Sequence, residues 1–111
     1  MESPKYSLIV PAYNEEKYIE GCLQSLVSQN YPSYEIIVVN NNSTDRTEEI
    51  AKGLVDKVLF EPLKGYIHAT NRGAREAHGK YISFCDADSI YPPNWLEKVN
   101  RKFEKNPEIV V

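Results

Sequence analysis

Short apolar runs alternate along the chain with stretches whose apolar residues recur at helical spacing, a pattern that predicts repeated βα units and a parallel sheet. Tyr6 to Val10 reads as the first strand. Asn14 is placed to cap a following helix, with Glu15 and Glu16 in its first turn, where the helix dipole favours acids. Ile19, Cys22, Leu23, Leu26 and Val27 give that helix one apolar face, and it stops before Tyr31-Pro32. Glu35 to Val39 is a β-branched run suited to a central parallel strand covered on both sides. It ends in the polar cluster Asn40 to Ser43. Thr44 and Asp45 are expected to cap a second helix carrying Ile50, Ala51 and Leu54 inward, with Gly53 near its end.

Lys57 to Phe60 forms a short third strand. After a turn at Pro62 to Gly65, Ile67 to His78 is predicted helical, with Gly79 just past its end. Its inward residues, Ala69, Gly73, Ala74 and Ala77, are small enough for the helix to lie close to the sheet. Tyr81 to Cys85 is the fourth strand. Pro92-Pro93 opens a last helix with Leu96, Val99 and Phe103 on one face, Asn106-Pro107 ends it, and Glu108 to Val111 begins a fifth strand. The expected fold is α/β and Rossmann-like: a mostly parallel sheet with helices on both faces.

Composition narrows the class. With 111 residues, 41% hydrophobic and 26% charged, the chain suits one folded domain and is too short for two. A strand at the very end led us to expect a sheet continued elsewhere, and so a chain truncated within a larger protein. The net charge of -3, with basic residues scattered singly, leaves no footprint for nucleic acid. Neither a secretion signal nor an apolar run of membrane-spanning length is present, which predicts a cytoplasmic chain and leaves membrane association to segments not included here. Cys22 and Cys85 lack metal or redox spacing and read as buried thiols.

Ligands of parallel sheets gather at the carboxyl ends of the strands, where the strand order reverses. Three polar clusters fall on that rim: Pro11 to Glu15, Asn40 to Asp45, and Asp86-Ala87-Asp88. Residues i and i+2 leaving a strand point the same way, so Asp86 and Asp88 can face one volume. Two such anions repel unless a cation lies between them. Mg²⁺ or Mn²⁺ fits, being held by one or two carboxylates and completed by water and substrate phosphate oxygens. The competing reading is a solvated turn with Asp88 or Ser89 capping the next helix. For the Asn and Ser cluster, turn formation alone accounts for the residues. Arg72 suits either a diphosphate contact or a solvated surface, and His68 and His78 have no companion ligand or nucleophile.

Those segments closely resemble the family 2 glycosyltransferases of the GT-A fold: Leu8 to Glu16, Glu35 to Asp45, Asn71-Arg72-Gly73 and Gly79 to Asp88, in family order and covering nearly the whole chain. The resemblance implies a nucleotide-sugar-binding half, with Pro11, Tyr13 and Glu15 lining the nucleotide pocket and Asn41 near the base. It places Arg72 near the nucleotide, Asp86 at the ribose or sugar, and Asp88 on the metal that bridges the diphosphate. Where members commonly carry one or two aspartates, this chain has Asn40 and Asn41. The implied reaction moves a sugar from a nucleotide-diphospho-sugar donor to an acceptor hydroxyl with inversion, the acceptor being a sugar, polysaccharide, lipid or protein. The family's catalytic carboxylate lies in a segment later than Val111, so this chain is expected to hold no catalytic base and to be inactive alone. A non-catalytic nucleotide-binding or partner-binding module of the same fold is the alternative. A phosphatase of the haloacid dehalogenase type is set aside because its Asp-x-Asp comes early in the chain. A dinucleotide-dependent dehydrogenase is set aside because the loop after the first strand has no glycine.

Overall fold

The computed structural model describes residues 3–105. Their order is β1 (Tyr6–Ala12), α1 (Ile19–Val27), β2 (Tyr34–Asn40), α2 (Thr47–Lys52), β3 (Lys57–Phe60), α3 (Tyr66–Glu76), β4 (Tyr81–Phe84) and α4 (Trp95–Lys105). The strands form a single parallel sheet in the order β3-β2-β1-β4. The chain builds outward from β1 through β2 to β3, then returns through α3 to the other side of β1. The reversal lies between β1 and β4, so the crevice at their carboxyl ends is the switch point at which such sheets bind ligands.

Alternation along β1 divides the core. Tyr6, Leu8, Val10 and Ala12 face one layer with α1, α2 and α4, where Ile19, Cys22, Leu23, Leu26, Leu96 and Phe103 are buried. Ile9, Ile37 and Val39 face the other layer with Ala69 of α3. A β-carbon on Gly73 would stand 2.4 Å from Cγ2 of Ile9, so the glycine lets α3 lie against the strands. Helices on both faces of a parallel sheet are the expected architecture.

Three local expectations are corrected. Asn14 does not cap α1: it sits at φ 52°, in the left-handed region, whereas a helix cap needs extended backbone. The chain instead turns at residues 16–18, the Glu15 carbonyl accepts the amides of Tyr18 and Ile19, and α1 starts at Ile19. Gly79 does not close α3, which ends at Glu76; a β-carbon there would lie 2.5 Å from the Ser7 amide nitrogen, so close passage of the backbone over β1 requires the glycine. Trp95 rather than Pro93 begins α4, after a turn in which the Trp95 amide donates to the Pro92 carbonyl. The expected helix end at Asn106-Pro107 and fifth strand at Glu108 to Val111 lie outside the described residues.

Candidate functional site at the carboxyl rim of the sheet

Two loops at the rim brace each other. The Asn14 amide donates to the Ser43 hydroxyl at 2.9 Å, and the Asn14 side-chain oxygen accepts the Thr44 amide at 2.8 Å. The Glu15 amide donates to Thr47 Oγ1 at 2.8 Å, and the Glu16 amide to Asp45 Oδ2 at 3.2 Å. Neither Thr44 nor Asp45 is the cap residue of α2, which is Arg46 without a side-chain cap bond; Asp45 Oδ1 nonetheless accepts the amide of the first helical residue, Thr47, at 2.9 Å. Much of the Asn and Ser polarity of the second cluster is therefore engaged in joining loops rather than in facing solvent.

Above the ends of β1 and β2 lies a cleft of about 320 Å³, lined by Pro11, Ala12, Tyr13, Asn41, Lys64, Gly65, Tyr66 and Ala69. The structure thus brings together Pro11, Tyr13 and Asn41. The Asn41 side chain is itself tightly held: Nδ2 donates to the carbonyls of Glu61 and Leu63, and Oδ1 accepts the Gly65 amide at 2.9 Å. Asn41 fixes the β3–α3 loop that forms the far wall of the cleft. Lys64 Nζ stands 5.1 Å over the Tyr13 ring and 3.2 Å from its hydroxyl, at the cleft mouth. Arg72 lies outside this lining; its Nη1 donates to the Phe60 carbonyl at 3.0 Å, and its Nε is 3.8 Å from Glu76.

Lys64, Gly65 and Tyr66 were not anticipated. The β3–α3 loop also leaves a strand at its carboxyl end, so a fourth loop had to reach the same rim. Its lysine and glycine directly before a helix were the available signal.

Asp86 and Asp88 follow β4, across the switch point from Glu15. Both are exposed, and among the described residues no hydrogen-bond donor or cation of the protein pairs with either carboxylate. The backbone of Asp86 is held firmly: its amide donates to the Tyr91 hydroxyl at 2.9 Å, and its carbonyl accepts the Cys22 thiol at 3.3 Å and the Ser89 amide at 3.1 Å. Burial, and then the neighbouring carboxylates of Asp88 and Asp45, push the Glu15 carboxyl above its ordinary value. Glu15 and Asp88 therefore share one electronegative volume. Cys22 and Cys85 are free thiols behind it, each pushed up to about 12 chiefly by burial.

The exposed donors are hard carboxylate oxygens that no protein cation among the described residues neutralises. Among the described residues no group of three or more His, Cys, Asp or Glu is arranged to hold an ion unaided. An ion such as Mg²⁺ or Mn²⁺ needs only one or two protein carboxylates when substrate phosphates and water supply the rest. The residues fit that arrangement.

A larger hollow, of about 440 Å³, lies at the opposite rim against Val27, Tyr34, Ile36, Leu54 and Val55. Of its charged members Glu35, Asp56 and Lys57, Glu35 and Lys57 pair with each other at 3.0 Å. We regard the carboxyl rim as the functional one despite its smaller cleft. Among the described residues no helix is long and apolar enough to cross a membrane.

Comparisons with known proteins agree with this fold. An uncharacterized glycosyltransferase of Haemophilus influenzae is 42% identical over 96% of this chain and 35% of its own length. The crystal structure of S. aureus TarS 1-349 superposes with a TM-score of 0.83 at 31% identity, over 93% of this chain and 33% of that one; the same protein has been solved with UDP-GlcNAc. The mannosyltransferase PcManGT from Pyrobaculum calidifontis, in complex with GDP-Man and Mn²⁺, superposes with a TM-score of 0.75 at 32% identity, over 83% of this chain and 30% of that one. The chain spans about a third of the length of the curated relatives it matches. The family described as Glycosyl transferase family 2 matches residues 7–111. With a GT-A sheet carrying the polar loops and a match that runs from the first strand onward, the chain belongs to glycosyl transferase family 2.

Proposed function

We propose that this chain forms the donor-binding subdomain of a metal-dependent, inverting glycosyltransferase that uses a nucleoside-diphosphate sugar. The observation that carries the reading is the pair of exposed, unpaired carboxylates Asp86 and Asp88 directly after β4, the strand that meets β1 at the switch point. Solved relatives in complex with UDP-GlcNAc, or with GDP-Man and Mn²⁺, supply the ligand class.

In this reading Pro11, Tyr13 and Asn41 line the nucleoside cleft, Asn41 acting through the loop it fixes. Arg72 stands near the nucleotide from α3. Asp86 approaches the ribose or sugar, and Asp88, with Glu15 beside it, would hold Mn²⁺ or Mg²⁺. The bound ion supplies electrostatic stabilisation to the diphosphate as negative charge develops on it. The chain's own residues orient the donor, with two braced loops on one side and the Asp86 to Asp88 segment on the other, so that the anomeric carbon faces an acceptor. The general base that takes the acceptor proton is assigned to a segment beyond Val111. Residues 1–111 on their own are then expected to bind donor and to transfer little or no sugar. In this reading the chain works in the cytoplasm, where its two thiols stay reduced.

Titration calorimetry of the protein with UDP and GDP, with and without Mn²⁺, tests the proposal. Binding of at least one nucleotide that tightens about tenfold or more with the ion is expected. Failure of both nucleotides to bind under either condition overturns it.

A further inference from the structure

Polar groups of α1 and of the residues just past its end meet the segment after β4 rung by rung. Cys22 donates to the Asp86 carbonyl at 3.3 Å. Ser25 Oγ accepts the Tyr91 amide at 3.0 Å and donates to the Cys22 carbonyl at 2.7 Å. Gln29 uses both ends of its amide: Nε2 donates to the Pro92 carbonyl at 2.7 Å, and Oε1 accepts the Leu96 amide at 2.8 Å. The Asn30 amide donates to the Pro93 carbonyl at 2.8 Å. Cys22 and Ser25 lie three residues apart on one face of α1, and Gln29, just past the end of the helix, is tied back to it by Nε2 donating to the Ser25 carbonyl at 3.1 Å. Gly21 adjoins Cys22, and a β-carbon there would come within 2.8 Å of Ile90 Cδ1, so the segment also packs flush against the helix.

These bonds lead back to the carboxylates. Tyr91, whose amide is fixed by Ser25, places its hydroxyl to accept the Asp86 amide, while Cys22 holds the carbonyl of the same residue. Both sides of Asp86 are thereby referred to α1, a helix with a fully buried apolar face. Gln29 is itself buried, and its side-chain amide is engaged at both ends by the Ser25 and Pro92 carbonyls and the Leu96 amide, which gives it a holding role. We propose that Cys22, Ser25 and Gln29 are positioning residues which set the Asp86-Ala87-Asp88 loop in the geometry that receives the donor's ion and diphosphate. The inference rests on the donor-site reading above for what the loop receives, though not for how the loop is held.

Two readouts separate those layers. The first is native-state hydrogen exchange in metal-free protein at the Asp86, Ser89, Tyr91 and Leu96 amides, with Val10 and Val38 of the central strands as references. The second is the affinity for UDP or GDP with and without Mn²⁺. Ser25→Ala and Gln29→Met are expected to speed exchange at Asp86 and Tyr91 by about tenfold while Val10 and Val38 keep wild-type rates. They are expected to weaken the ion-dependent affinity by about fivefold to tenfold and to leave ion-independent binding unchanged. Ser25→Thr, which keeps the hydroxyl, should restore both, and Ser28→Ala, an exposed hydroxyl next to the helix end, should move neither.

Unchanged exchange at Asp86 overturns the inference, as does equal acceleration at Val10 and Val38, which marks general destabilisation. Accelerated exchange with unaltered ion-dependent affinity also overturns it. If wild-type protein binds neither nucleotide, the donor-site reading fails by itself, and the exchange pattern then decides whether α1 holds the loop. The Ser25 pair keeps the test decisive should Gln29→Met fail to fold.

Discussion

The two rims of this sheet treat carboxylates in opposite ways. At the amino rim Glu35, opposite Ser7 in the β1–β2 register, accepts the Ser7 hydroxyl, the His78 amide at 2.7 Å and Lys57 Nζ at 3.0 Å. Burial alone would raise its carboxyl; those donors outweigh it and hold the group at about 2. At the carboxyl rim Asp86 and Asp88 are exposed and unpaired among the described residues, and Glu15 is pushed up beside Asp88. A carboxylate with its donors in place contributes to folding, whereas acids left together without a counter-charge oppose it. The amino rim is therefore a fastening of the fold, and the carboxyl rim is where the proposed function places binding.

The largest effect expected from breaking this contrast lies at the open rim. Asp88→Asn should weaken ion-dependent nucleotide binding about a hundredfold, or about 2.8 kcal/mol. It should leave the midpoint of urea unfolding unchanged or slightly raised, because it removes a like charge next to Glu15. Calorimetry and urea melts on the same protein check both halves. A marked loss of stability would show Asp88 to be a fastening like Glu35, and the contrast would collapse.

The mirror experiment at the closed rim gives the next largest effect. Glu35→Gln keeps the size of the side chain but removes the charge that Lys57 and the His78 amide meet, at a cost of about 2 kcal/mol of unfolding free energy. Nucleotide affinity should stay within about twofold of wild type, since the change lies at the far ends of the strands. A large loss of affinity in protein that remains folded would mean that the rims are coupled through β1 and β2.

How legible each rim was in the sequence follows from the range of its interactions. The strands, their parallel pairing and the switch point could be read because apolar periodicity is local, and Lys57–Phe60 was found to the residue. Asp86 and Asp88 stood out because alternation along a strand puts both on one side. Asn14 misled because asparagine suits both a helix cap and a left-handed turn, and the choice was made by Ser43 and Thr44, far away in sequence. Gly79 misled similarly: the contact that demands a glycine is with Ser7 in another strand. Cys22 was read as one more apolar helix residue and Gln29 drew no notice, because their partners lie more than sixty positions later in the chain. In sequence Glu35 is only the start of a strand, because its donors Ser7, Lys57 and His78 are brought together by the sheet.

The smallest expected effect is the pH dependence that separates the rims. Glu35 has a folded value of about 2 against an ordinary 4.5, so its contribution to stability is complete above about pH 4.5 and is lost as pH falls toward 2. About 1 kcal/mol of it should disappear between about pH 4.5 and pH 3, after allowance for solvent around the half-exposed Lys57. Other carboxylates titrate over the same interval, so the informative quantity is the stability of wild type minus that of Glu35→Gln. That difference should shrink as the solution is acidified, because protonation of the wild-type side chain removes the charge that the variant already lacks. A gap between wild type and Glu35→Gln that stays constant from about pH 6 to pH 3 would show that packing of the side chain, rather than its charge, closes the amino rim.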